Sequence, residues 1–97
     1  MYYSIIAEDA ENSAEKRRQG RVAHLQRLHV LNQQGRLLVA GPHLKAEEED
    51  TETYCGSLIV ADFDSLTAAQ QWADADPYLQ TGVYSQISVK PFVKVFP

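Results

Sequence analysis

The chain has 97 residues, 44% hydrophobic and 23% charged, with a net charge of -4. That length suits one domain with a single small core, and that balance excludes disorder as the dominant state. The acidic excess excludes the basic surface that nucleic acid needs and a polybasic membrane contact, and no apolar run has the length of a membrane span.

Met1-Tyr2-Tyr3-Ser4-Ile5-Ile6 runs straight into a strand pattern, without the basic and apolar regions of a secretory signal. The single cysteine, Cys55, has no internal partner, which fits a reducing cytoplasm. Tyr2 to Ala7, aromatic and β-branched, predicts a strand. Glu8 to Asn12 is polar and predicts a loop. Ser13 is placed to cap a helix running to about Gln34, with Gly35 as its left-handed terminator. Gly20 inside that helix costs up to about 1 kcal/mol against alanine and marks a close backbone approach. Arg36 to Ala40 predicts a second strand ended by Gly41-Pro42. The segment from His43 to Thr53 carries the acidic run Glu47–Glu52 and predicts a solvated loop.

Tyr54 to Phe63 predicts a third strand, with Leu58 and Val60 on one face and Ile59 and Ala61 on the other. Asp64 or Ser65 caps a second helix whose stripe is Leu66, Ala69, Trp72 and Ala73. It stops by Ala75, because Asp76 precedes Pro77. Pro77 to Gly82 predicts a turn-rich connection, and Val83 to Val89 a fourth strand. Pro91 implies an edge or a bulge, followed by an extended arm from Phe92 to Phe96. The order β-α-β-β-α-β is the α+β, ferredoxin-like arrangement: an antiparallel sheet with two helices on one face. Yet three strands are apolar on both faces, where a sheet with one wet face should alternate. The second face is therefore expected to be covered by a second copy, giving a homodimer packed sheet to sheet.

The stretch from Arg17 to Leu31 carries the chemistry. At about 100° per residue, Leu31, His24, Arg17, Leu28 and Arg21 fall within an arc of roughly 80°. An apolar stripe does not normally hold two guanidiniums and an imidazole, so this face is expected to border a polar cleft as well as a core. His24 is the sharpest candidate, since imidazole is suited to proton transfer near neutral pH. Its structural alternative is a core histidine bonded to backbone. Asp76 follows, with Asp-Pro turn chemistry as the alternative. Both helices share one sheet face, so this carboxylate can reach His24 and orient it as a general base.

Arg17 and Arg21 would hold an anionic ligand or pair with Glu8, Asp9 or the acidic run. Ser57 would line a pocket or be a strand residue only. Cys55 reads as a packed small hydrophobe before a nucleophile. His29 lies about 140° around the helix from His24, and His43 has no second ligand at a recognisable spacing. No metal site and no phosphate loop are expected.

Several short pieces, in order, resemble the YCII-related family of small bacterial proteins over essentially the whole chain. They include Met1-Tyr2-Tyr3, Glu15-Lys16-Arg17, Arg21-x-x-His24-Leu25 and Arg36-Leu37-Leu38-x-Ala40-Gly41-Pro42. They continue with Gly56-Ser57, Trp72-Ala73, Asp76-Pro77-Tyr78, Gly82-Val83-Tyr84 and Val89-Lys90-Pro91-Phe92-x-Lys94-Val95-Phe96. The resemblance implies a single domain over 1–97 that dimerises into an α+β barrel, as in muconolactone isomerase-like proteins. It also implies a cleft with a histidine at His24 and an aspartate at Asp76. Relatives that act on chlorinated hydroxyquinols imply metal-free proton abstraction with loss of chloride, by analogy only.

The expectation is a small cytoplasmic, cofactor-independent enzyme, lyase- or isomerase-like. His24 and Asp76 would carry the chemistry, and Arg17, Arg21 and Ser57 would bind a small aromatic or anionic metabolite. The alternative is a non-catalytic ligand-binding or interaction module.

Overall fold

The computed structural model describes residues 1–47 and 53–97. Its elements are β1 (Tyr2–Asp9), α1 (Ala14–Gln33), β2 (Leu37–Leu44), β3 (Tyr54–Asp62), α2 (Leu66–Asp74), α3 (Pro77–Gln80) and β4 (Tyr84–Phe92). The strands form one antiparallel sheet in the order β2-β3-β1-β4. This is the ferredoxin-like arrangement, with the first and third strands at the centre.

Period-two alternation decides which residues turn towards the helices. Along β1, Tyr3, Ile5 and Ala7 are buried, and they pair across to Ala61, Ile59 and Ser57 of β3. Tyr3, Ile5, Ile59 and Ala61 join Leu31 of α1, Phe63, and Ala69 and Ala73 of α2 in the main core, with Leu28 and Trp72 packed against it. A second cluster of Ala7, Tyr78, Val83 and Tyr84 lies beneath the site described below. The buried positions of α1 are Arg17, Gly20, His24 and Leu31. The inward arc is thus centred on the His24 side, and Arg21 sits at its exposed rim.

Several local expectations are corrected. β1 runs on to Asp9, which pairs with Tyr84 across a register shift. β2 continues through Gly41 and Pro42 to Leu44. It lies at the sheet edge, where a residue without an N–H interrupts no ladder on the free side. Pro91 lies on the other edge strand, as expected. Pro77 starts the short helix α3 in place of a turn, because proline is preset for the first helical position and Asp76 caps it. Ser13 stands at the cap position of α1 but makes no capping bond; its hydroxyl donates to Asp9 instead. Cys55 is exposed and not packed, at the start of β3. Most of the acidic run Glu47–Glu52 lies outside the described residues; Glu47 itself is exposed.

The sheet face turned away from the helices carries exposed apolar side chains, among them Ile6 and Val39, 43% and 48% exposed. The segment after β4 adds Val93, Val95 and Phe96, all largely exposed. No helix among the described residues is long and apolar enough to cross a membrane.

Candidate functional site

One helix position and one helix start bring the central pair together. His24 is buried on α1, and Asp76 is the N-cap of α3. The Asp76 carboxylate does what a capping side chain does, accepting the Tyr78 N–H at 2.9 Å. The same carboxylate lies 2.9 and 3.1 Å from His24 Nδ1. An ionised carboxylate only accepts, so Nδ1 must carry the proton in this contact. In the neutral ring that leaves the lone pair on Nε2, which makes no hydrogen bond among the described residues and is not sealed from solvent. The geometry orients one nitrogen and frees the other.

Tyr78 fixes the ring from its face, stacked 3.9 Å away and nearly parallel, while Tyr84 meets it edge-on at 6.4 Å. Gly20 makes this stack fit: a Cβ there would lie 3.0 Å from Tyr78 Cδ1. The close approach expected at Gly20 is therefore an approach to an aromatic ring, one turn before His24.

Arg17 is held, not free. Its Nε and Nη2 donate to the two oxygens of Asp9 at 2.7 and 2.9 Å, and Nη2 also donates to the Gly56 carbonyl at 3.0 Å. Burial alone would lower its pKa, but the hydrogen bond and charge of Asp9 outweigh that and raise it. Of the two readings left open for Arg17, the structural pairing with Asp9 is present, and the guanidinium still borders the cavity. Ser57 shares a 2.6 Å hydrogen bond with the Tyr84 hydroxyl. Burial pushes the Tyr84 phenol well above its ordinary range, so it stays protonated. Tyr78 is raised as well, by burial first, against the lowering pull of Arg17 and Arg21. Arg21 makes no ion pair among the described residues.

These groups open onto a cavity of about 210 Å³. Arg17, Arg21, His24, Ser57 and Tyr78 give it a polar side, and Leu25, Leu28, Ile59 and Pro42 an apolar one. All four residues expected from α1 and β3, namely Arg17, Arg21, His24 and Ser57, line it; Asp76 stands behind His24. A larger hollow of about 400 Å³ runs along Asp9 to Ala14 and Cys55. Asp9, on the wall of that hollow, already accepts from Arg17 and Ser13. Among the described residues no cluster of metal-ligating side chains occurs. Arg27 lies close by, donating to the Trp72 carbonyl and stacking over that indole. Burial lowers its pKa, and Asp76 partly offsets this.

Tyr78 and Tyr84 were not singled out by residue pattern. The Tyr78 N–H bonds the capping Asp76 carboxylate, a contact that fixes its backbone but does not by itself place its ring.

A model of the YCII-related domain matches residues 1–93. Protein YciI of Escherichia coli O6:H1 is 52% identical over 98 residues, spanning 99% of this chain and all of that protein. A Haemophilus influenzae protein is 46% identical over the same span. Among solved structures, 5-chloro-2-hydroxyhydroquinone dehydrochlorinase from Burkholderia phenoliruptrix AC1100, in complex with 2,5-dihydroxybenzoquinone, matches with a TM-score of 0.86. It is 23% identical and covers 96% of this chain and 94% of its own. PA3566 from Pseudomonas aeruginosa matches with a TM-score of 0.53 at 8% identity, covering 98% and 93%. These structural likenesses concern the fold.

Proposed function

The chain belongs to the YCII-related family, and from that footing we propose that it is a small cofactor-independent enzyme acting by proton transfer at His24. The observation that carries this is the one-sided hydrogen bonding of the imidazole. Nδ1–H is taken by Asp76, and Nε2, without a hydrogen bond among the described residues, lies beside a cavity. Nε2 removes a proton from a bound molecule, and Asp76 stabilises the imidazolium that forms. In an elimination the electron pair of the broken bond expels a leaving group. In an isomerisation the same nitrogen returns the proton to another atom. The dehydrochlorinase of the same fold gives the elimination a precedent by analogy.

The cavity suits a small planar molecule. Leu25, Leu28 and Ile59 supply apolar contact, and Arg21 supplies a positive charge without an internal partner among the described residues. The exposed apolar sheet face and the segment from Val93 to Phe96 support a homodimer packed through that face.

The test is a metabolite library screened by thermal shift against the wild type and His24→Gln, followed by turnover assays on each hit. We expect the variant to lose about 10²- to 10⁴-fold in kcat, the range that positioned acid–base groups contribute. Unchanged turnover in the variant would sink the mechanism. Hits that bind the wild type without ever turning over would mark a binding module instead.

A further inference from the structure

Ser57 and Tyr84 share a hydrogen bond whose direction the surroundings decide. Tyr84 is buried, and its hydroxyl makes one hydrogen bond among the described residues, 2.6 Å to Ser57 Oγ. If Ser57 donated to it, the phenolic proton would have no acceptor among the described residues, at the full cost of an unmade buried bond. If Tyr84 donates, its own proton is paired, and the proton left over is that of Ser57, which borders the cavity. Arg17 favours the same choice. Nη2 donates to Asp9, to the Gly56 carbonyl and, at 3.3 Å, to Ser57 Oγ, so its two hydrogens are divided among three acceptors. A guanidinium at that distance draws the lone pairs of Ser57 towards itself and turns the hydroxyl proton away. Ser57 borders the cavity; Tyr84 does not.

We infer that Tyr84 and Arg17 lock Ser57 as a hydrogen-bond donor into the cavity, so that the site takes ligands presenting a carbonyl or anionic oxygen there. Ser57 touches the ligand, and Tyr84 is a positioning residue acting through it. The inference rests on the cavity being the substrate site, but it does not depend on His24 being the base.

The test is a double-mutant cycle on Ser57 and Tyr84, using 2,5-dihydroxybenzoquinone, a planar molecule with such oxygens, as the probe. The dissociation constant and the shift of the probe's visible absorption band on binding are both read. Ser57→Ala should weaken binding about tenfold, as expected for one hydrogen bond to a charged or carbonyl oxygen, and should reduce the band shift. Ser57→Thr, which keeps the hydroxyl, should restore both. Tyr84→Phe should weaken binding on its own, yet cost nothing further in the Ser57→Ala background. Melting temperatures confirm that each variant is folded. Wild-type protein that does not bind the probe, or Ser57→Ala that binds like wild type, would overturn the donor role. Additive losses would overturn the role of Tyr84. The base mechanism is read separately, as turnover by His24→Gln, whereas this inference is read as probe binding by the Ser57 and Tyr84 variants, so failure of one and failure of the other give different results.

Discussion

Asp76 serves two partners at once. One carboxylate starts α3 by holding the Tyr78 N–H and orients His24 by holding Nδ1–H. Asp76→Asn separates the roles. Asparagine caps a helix about as well as aspartate, so stability should change by less than about 1 kcal/mol. Its amide can donate to Nδ1, however, which would put the ring proton on Nε2 and remove the base. Turnover of an identified substrate should fall at least 10²-fold, while chemical denaturation shows a near-native fold. Tyr84 makes a different prediction. Its folded pKa lies above its unfolded value, near 10, because of burial first. Stability is therefore fully present below about pH 10 and is lost as pH rises towards the folded pKa, where the unfolded chain has already released its proton. Urea titrations from pH 8 to 11 should show that alkaline decline, and Tyr84→Phe should flatten it. At this scale His24 was legible in the sequence as a polar group on a face where pattern expects apolar residues, whereas Asp76 stood out from Asp-Pro turn chemistry only through its reach towards His24 and the family resemblance. Tyr78 and Tyr84 were not legible, because a buried tyrosine looks like ordinary core until its neighbour is known.

At the scale of elements, the site depends on how closely α1 approaches α3 and β3. Gly20→Ala would gain up to about 1 kcal/mol of helix propensity. The added methyl meets a Tyr78 ring already pinned against His24, and overpacking of that kind costs about 1–3 kcal/mol. We expect a lowered melting temperature together with weaker ligand binding. The Arg17–Asp9 pair ties the N-terminal turn of α1 to the end of β1, with both side chains nearly buried. Asp9→Ala leaves that guanidinium without its countercharge and should cost about 3 kcal/mol in denaturant unfolding. Helix and strand order followed from apolar spacing and from the Ser65, Pro77 and Gly35 signals. The ends of β1 and β2 did not. Asp9 and Pro42 are extended by cross-strand pairing with Tyr84 and Ser57, which local sequence cannot reveal.

At the scale of the molecule, the sheet leaves one face without a cover of its own. Ile6 and Val39 on that face, with Val93 and Phe96 beyond β4, are apolar and exposed. Light scattering at micromolar concentration should give twice the chain mass, and Ile6→Lys should shift the protein towards the monomer. A monomeric mass for the wild type would contradict the proposed homodimer. The doubly apolar strands made that face legible from sequence, because alternation fails where both sides of a sheet are covered. The shape of the cavity was not legible, since it depends on the aromatic rings that close its floor.

The most direct measurement is the ¹⁵N spectrum of the His24 ring, recorded by long-range proton–nitrogen correlation on the neutral protein and assigned with His24→Gln. The expected result is a protonated Nδ1 held by Asp76 and a bare Nε2. A ring protonated on Nε2, with Nδ1 bare against the carboxylate, would contradict it.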